Sequence, residues 1–125
     1  PKLDTATTVT LDDTVQNSTN EVQSITVDAA GGTFTISYAG ETTAAIAWNA
    51  TAAQVQAALV LLSNIGAGNI AVSGGIGGTN PFYLQFVGTL GVADIAAVTT
   101  GVGSLTGGAG TAAVATVVAG GTLAA

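Results

Sequence analysis

Few residues in this 125-residue chain carry the chemistry needed to make or break a bond. Asp12 and Asp13 are the one adjacent pair of carboxylates. Paired carboxylates share acid and base roles when a shaped pocket drives their pKa values apart. Here they sit in a stretch rich in Thr and Asn, which reads as a solvated turn, and neighbours in an extended chain point to opposite sides. With backbone carbonyls the same pair could assemble a weak calcium site, but no EF-hand spacing follows it. Serine and threonine are abundant, yet there is no His to take their proton and Lys2 is the one cation, so no activated hydroxyl is expected.

The glycine-rich stretches raise a different chemistry, phosphate binding by backbone N–H groups. Gly74-Gly75-Ile76-Gly77-Gly78 follows a strand pattern, as a dinucleotide loop would, but leads into another strand and has no basic residue nearby. It is expected to be a mobile hairpin loop. Gly107-Gly108-Ala109-Gly110 is expected to be a flexible connection. Trp48 and Tyr38 could form a sugar-stacking face, but their alternation with Ile46 and Ile36 points them into a core. Asn17-Ser18-Thr19 and Asn49-Ala50-Thr51 match the glycosylation sequon. Thr51 is better explained as a helix cap, and neither sequon is read as modified.

Composition excludes more. The chain has seven acidic residues against one Lys, a net charge of −6, and no His, Cys or Met. It therefore lacks the ligands of a soft or imidazole metal site, a thiol nucleophile and a redox pair, and no cofactor is expected. With no basic surface to neutralise phosphates, no nucleic-acid partner is expected either. The absence of cysteine leaves the redox compartment open. The opening Pro1-Lys2-Leu3-Asp4 is not followed by an apolar stretch, so no signal peptide is expected. Residues 95–125 carry no charge, but they are Ala, Gly, Thr and Val interrupted by glycines, and no membrane partner is expected.

The elements that must position these residues follow from periodicity. Residues 1–20 read as an extended N-terminal arm: residues 5–11 are β-leaning, while Asp12-Asp13 and residues 17–20 read as turn. Either the segment is a solvated terminus or it orders on a neighbouring subunit. In the second case Thr5, Thr7, Val9 and Leu11 are the candidate inter-subunit contacts. The body, residues 21–100, reads β-β-β-α-β-β. A strand at 23–29, a turn at Gly31-Gly32 and the alternating Phe34, Ile36 and Tyr38 suggest a hairpin, and Ala44, Ile46 and Trp48 continue the period of two. Thr51 and Gln54 stand at capping-box spacing before a stripe of Val55, Ala58, Leu59 and Leu62, which predicts a helix ended by Gly66. Residues 69–73 and Phe82, Leu84 and Phe86 mark two further strands. Tyr83, Gln85 and Val87 make the second face of the latter bulky as well, so it should be central or covered by a second element. Residues 94–100 read as a short strand or a turn. In the Gly/Ala/Thr-rich segment 101–125, residues 111–118 could form a last strand, paired with the arm or with another subunit. The expected class is α+β and β-rich: a small, mainly antiparallel sheet of about five to seven strands packed on one short helix, with the arm extended from it.

Several of these runs in combination resemble a known domain. They are residues 20–27 (Asn-Glu-Val-Gln-Ser-Ile-Thr-Val), Gly31-Gly32-Thr33-Phe34-Thr35-Ile36, residues 43–48, residues 49–59, residues 64–70, and Phe82-Tyr83-Leu84-Gln85-Phe86-Val87-Gly88. This set is similar to a domain of tailed-phage structural proteins, especially of phages infecting actinobacteria, that also recurs as repeats in large bacterial surface proteins. The resemblance covers roughly residues 20–100. It implies a virion or surface module with no catalytic residue to carry over, so no enzyme is expected. A single copy fits a capsid decoration (cement) protein on the outer capsid surface, whose partners would be the major capsid protein and copies of itself. The alternatives are a phage tail or fibre component, or an adhesive or carbohydrate-binding module on a bacterial cell surface. The arm is not explained by the resemblance.

Overall fold

The computed structural model describes residues 18–122. The described chain runs β1 (Ser18–Thr19), β2 (Val22–Asp28), β3 (Gly31–Tyr38), β4 (Glu41–Thr42), β5 (Ile46–Ala47), α1 (Ala52–Val60), β6 (Ile70–Gly74), β7 (Phe82–Phe86), a 3₁₀ turn at Gly88–Leu90, β8 (Thr99–Gly101), β9 (Leu105–Thr106), β10 (Thr111–Val118) and β11 (Gly121–Thr122). Among the described residues, the β-rich α+β class with one short helix is what forms. Its strands divide between two main antiparallel sheets, one ordered β10-β2-β7-β6 and one centred on β3, which pairs with β4, β5, β8 and β9. β1 and β11 pair with each other.

The expected hairpin of β2 with β3 does not form. β2 lies between β10 and β7, while β3 belongs to the other sheet. Gly31-Gly32 is therefore not a reversal but the place where one strand bends from sheet to sheet. The opposing chain bends with it: β8 and β9 run antiparallel to β3, and β10 continues antiparallel to β2. Strands that switch sheets need a corner, and glycine provides it here. Gly32 (φ 84°) and Gly107 (φ 73°) both occupy the left-handed region, and a Cβ on Gly107 would lie 2.6 Å from that of Ala30. The run at 107–110 is thus the packed half of a corner. Gly110 N–H closes it by donating to the Asp28 carbonyl at 2.8 Å. By the same pairing, β10 has β2 as its partner along one edge.

The core lies between the sheets. Ile25 and Val27 of β2, Phe34 and Ile36 of β3, Ile70 of β6 and Phe82, Leu84 and Phe86 of β7 are buried, as their period-two spacing requires. β7 is central, with β2 and β6 on its two sides, but its second face is not covered by the described residues: Tyr83 and Gln85 are exposed. α1 begins as predicted. Gln54 N–H donates to Thr51 Oγ1 and Thr51 N–H donates to Gln54 Oε1, a reciprocal capping box. Val55, Leu59 and Leu62 bury its apolar stripe, and Gly66 (φ 77°) ends the turn that follows. The third alternating strand is cut short. Ala44 is exposed and Thr43 turns inward, where its hydroxyl accepts from Ile36 N–H at 3.0 Å.

Glu21 and Gln23 are buried polar residues on the inward face of the first sheet. Gln23 Nε2 donates to Glu21 Oε2 at 2.7 Å and to the Ala96 carbonyl at 3.1 Å, and Gln23 Oε1 accepts from Val98 N–H at 2.9 Å. Glu21 Oε1 accepts from Ile95 N–H and Gly120 N–H, both at 3.2 Å. Just outside, Asn20 Oδ1 accepts from Val92 N–H at 2.9 Å. Residues 92–98, which link the first sheet to the second, lack a strand partner of their own, and these side chains take its place.

Two predictions follow from this hydrogen bonding. Gln23→Ala leaves the Val98 N–H, the Ala96 carbonyl and Glu21 short of partners and should destabilise the protein by about 3 kcal/mol in urea unfolding. Thr51→Ala removes one exposed cap and should cost about 1 kcal/mol. Equal losses in the two variants would refute this assignment. At β4, Glu41 accepts from both the hydroxyl and the N–H of Ser63, the latter at 2.7 Å. The Ser63 hydroxyl first, then its N–H and that of Asn64, hold the Glu41 pKa below the usual carboxylate value against a small opposing effect of burial. The native pKa being the lower one, this contribution is complete above the ordinary carboxylate range and is lost as pH falls through the native value. In an NMR titration, Ser63→Ala should raise the Glu41 midpoint, and an unmoved midpoint would show that Ser63 does not set it.

Candidate assembly surface

Among the described residues, Glu21, Gln23 and Glu41 are engaged in hydrogen bonds to neighbouring segments. Among the described residues no three carboxylates come together as a metal-binding group. Asp12 and Asp13, with the calcium reading attached to them, lie outside the described residues. A hollow of about 220 Å3 opens between β5 and α1, lined by Ala45, Ile46, Ala47, Ala50, Gln54 and Ala58. Its one polar side chain, Gln54, is held in the capping box. The hollow offers shape but no titratable group.

The loop after β6 is packed in place and is not the mobile hairpin loop expected from its glycines. Gly75 N–H donates to the Pro81 carbonyl at 3.0 Å and Gly77 N–H to the Ala50 carbonyl at 3.1 Å. A Cβ on Gly78 would come within 2.6 Å of the Trp48 ring. Glycine serves here to let the loop lie on the indole. Trp48 is accordingly half-buried, and so is Tyr38, whose ring centroid lies 5.9 Å from that of Phe86. Both aromatic rings are engaged by their own neighbours, as their alternation with Ile46 and Ile36 indicates. The aromatic that faces outward is Tyr83, 39% exposed.

Tyr83 stands on a surface that composition alone did not single out, the outer face of the first sheet. Register aligns Ala115, Ser24, Tyr83 and Ser73 across its four strands, and Val118, Val22, Gln85 and Ala71 in the next row. Ala113 and Thr26 form a third pair on the same side. None of these side chains is charged, and all but Val22 and Ser24 are exposed. Asp28, at one end of β2, is the nearest acid in this register. This four-stranded face carries small, uncharged residues around one aromatic, in a chain with net charge −6, so covering it would strip no charge of water. The signal was legible in the second faces of β2 and β7, where the outward positions are Val, Ser, Thr, Tyr and Gln, with Asp28 at the end of β2.

The two edges of this sheet differ. At β6, the Val72 N–H donates to Gln56 Oε1 of α1 at 2.9 Å, and Gly75 bridges to Thr51, so the helix covers that edge. At β10, the Thr100 hydroxyl donates to the Ala112 carbonyl at 2.7 Å, but residues 113–118 have no partner strand on their far side among the described residues. Val117 and Val118 there are 51% and 38% exposed. The arm residues Thr5, Thr7, Val9 and Leu11, read as inter-subunit contacts, lie outside the described residues.

No family model matches the chain, and no curated protein matches it. Among solved structures, a chain from Mycobacterium phage Patience superposes with a TM-score of 0.58 at 18% sequence identity, covering 81% of this chain and 38% of that one. The protein thus spans well under half the length of the phage chain it matches, and its fold is one that a mycobacteriophage protein also contains.

Proposed function

We propose that the protein is a virion structural protein of a tailed phage, a head decoration protein that attaches to the outer surface of the assembled capsid and reinforces it. The observation that carries this reading is the uncharged outer face of the β10-β2-β7-β6 sheet, set in an acidic chain. The fold shared with a mycobacteriophage chain supports the phage setting. Attachment works by repetition. Each copy need bury only a modest area, about 1,000 Å2 in all, because shell symmetry presents the same contact many times and linked copies reinforce one another. The face supplies shape and desolvation without charges to strip of water, while the remaining acidic surface keeps neighbouring particles apart. The major capsid protein and further copies of the chain are the partners this reading requires. It needs no cofactor and no catalytic group.

A second reading is favoured by one observation. Tyr83, exposed and flanked in register by Ser24 and Ser73, could stack on a sugar ring, as in a tail, fibre or cell-surface adhesive module.

Purified shells lacking this protein separate the two. Under the first reading the protein binds saturably, at a fixed number of copies per shell, and raises the melting temperature of the particle. A charge placed on the face, Ala115→Glu, should weaken attachment at least about tenfold, or about 1.4 kcal/mol, while leaving the melting temperature of the free protein nearly unchanged. Absence of shell binding, with glycan binding abolished by Tyr83→Ala, would replace the first reading with the second.

A further inference from the structure

β1 and β2 oppose β11 and β10 as one ladder. The register that pairs Val22 with Val118 carries on unchanged to Thr19 with Gly121 and Ser18 with Thr122, across a gap bridged by the Glu21 carboxylate and Gly120 N–H. The chain entering at Ser18 therefore arrives on the side of β10 and β11 that β2 already occupies. The open edge at residues 113–118 is on the opposite side. A segment preceding Ser18 would have to cross β11 and reverse direction to pair with that edge in its own copy. No such reversal is needed to pair with the same edge in another.

The edge itself calls for a cover. Residues 113–118 read Ala-Val-Ala-Thr-Val-Val, without charge or proline, and the bulge between Thr116 and Val118 leaves Val117 half-exposed. Uncharged β-branched edges of this kind bind any available strand unless blocked. The sheet's other edge is blocked by α1 and Gln56, so strand addition has one place to occur. The chain also carries a segment of matching composition: residues 5–11, Thr-Ala-Thr-Thr-Val-Thr-Leu, are uncharged and mostly β-branched. From Ser18 back to Leu11 an extended chain reaches at most about 23 Å.

We propose that residues 5–11 of one copy add as a fifth strand to the open β10 edge, residues 113–118, of a neighbouring copy. Main-chain hydrogen bonds give the affinity, and Thr5, Thr7, Val9 and Leu11 present one face of the added strand. Because donor and acceptor are different surfaces, the contact is head-to-tail and closes into a ring when the rotation between copies permits. The inference rests on reading the protein as a repeated virion subunit, but its test uses free protein and no shells, so the two can fail separately.

The chain has no cysteine, so single thiols can be introduced cleanly. Full-length Val9→Cys and full-length Ala115→Cys, mixed and treated with a short bismaleimide, should give covalent heterodimers. A variant with Thr8→Pro and Val9→Pro loses two adjacent N–H groups, one of which must face β10 in any register, and should fall to the mass of one chain in light scattering, with the circular dichroism of the body retained. Cross-linking confined within single chains of the doubly substituted V9C/A115C protein would show that the arm folds on its own copy and overturn the proposal. So would an unchanged mass of the proline variant, or the absence of any cross-link between the two sites.

Discussion

Three side chains within four positions, Asn20, Glu21 and Gln23, do for residues 92–98 what a neighbouring strand would do. That segment must carry the chain from the first sheet to the second while Ile95 and Val98 close the core, and a buried irregular segment needs partners for its N–H and carbonyl groups. Gln23 answers one donor and one acceptor, Glu21 answers donors from two separate segments, and Gln23 in turn donates to Glu21. A neutral amide and a carboxylate thereby tie together the start of β2, the connection between sheets and the chain entering β11. Hydrophobic residues could fill the same volume, but they could not satisfy that backbone.

The rest of the architecture can be traced from this point. With residues 92–98 fixed, β8 and β9 fall alongside β3 and β10 falls alongside β2, so a single antiparallel pair of chains bends through both sheets. The bend divides the molecule into a sealed side and an open one. α1 closes the first sheet at β6, and the packed glycine loop lies over Trp48. The face around Tyr83 and the edge of β10 are left to water or to partners. The buried core and the uncharged outer face thus lie on opposite surfaces of the same four strands.

How much of this could be read from the residues depended on how local the cause was. The capping box at Thr51 and Gln54, the stripe of Val55, Leu59 and Leu62, the cap at Gly66 and the alternation of Phe82, Leu84 and Phe86 are set by neighbours a few positions away, and each is found where its spacing puts it. Strand pairing is not local. Gly31-Gly32 between two alternating runs has the pattern of a hairpin turn, and only the competition from β7 and β10 for the edges of β2 makes it a bend. Glu21 and Gln23 were likewise hidden, because an acid at the start of a polar stretch looks solvated until residues 95–98 and 120 come to it from far along the chain. The glycines at 74–78 suggested looseness. Their neighbours show close contact instead, a distinction that sequence alone does not carry.

The ladder formed by β1 and β11 has a topological consequence. Ser18 and Thr122 face each other as a cross-strand pair, so the described body begins and finishes at a single point on its perimeter, about 5 Å wide. A module with that geometry can be spliced into a surface turn of a host protein without stretching either flank, and the host's chain simply detours through it. A fold of this kind can serve equally as an independent subunit or as a cassette inside a longer polypeptide, with the same surfaces presented in both settings.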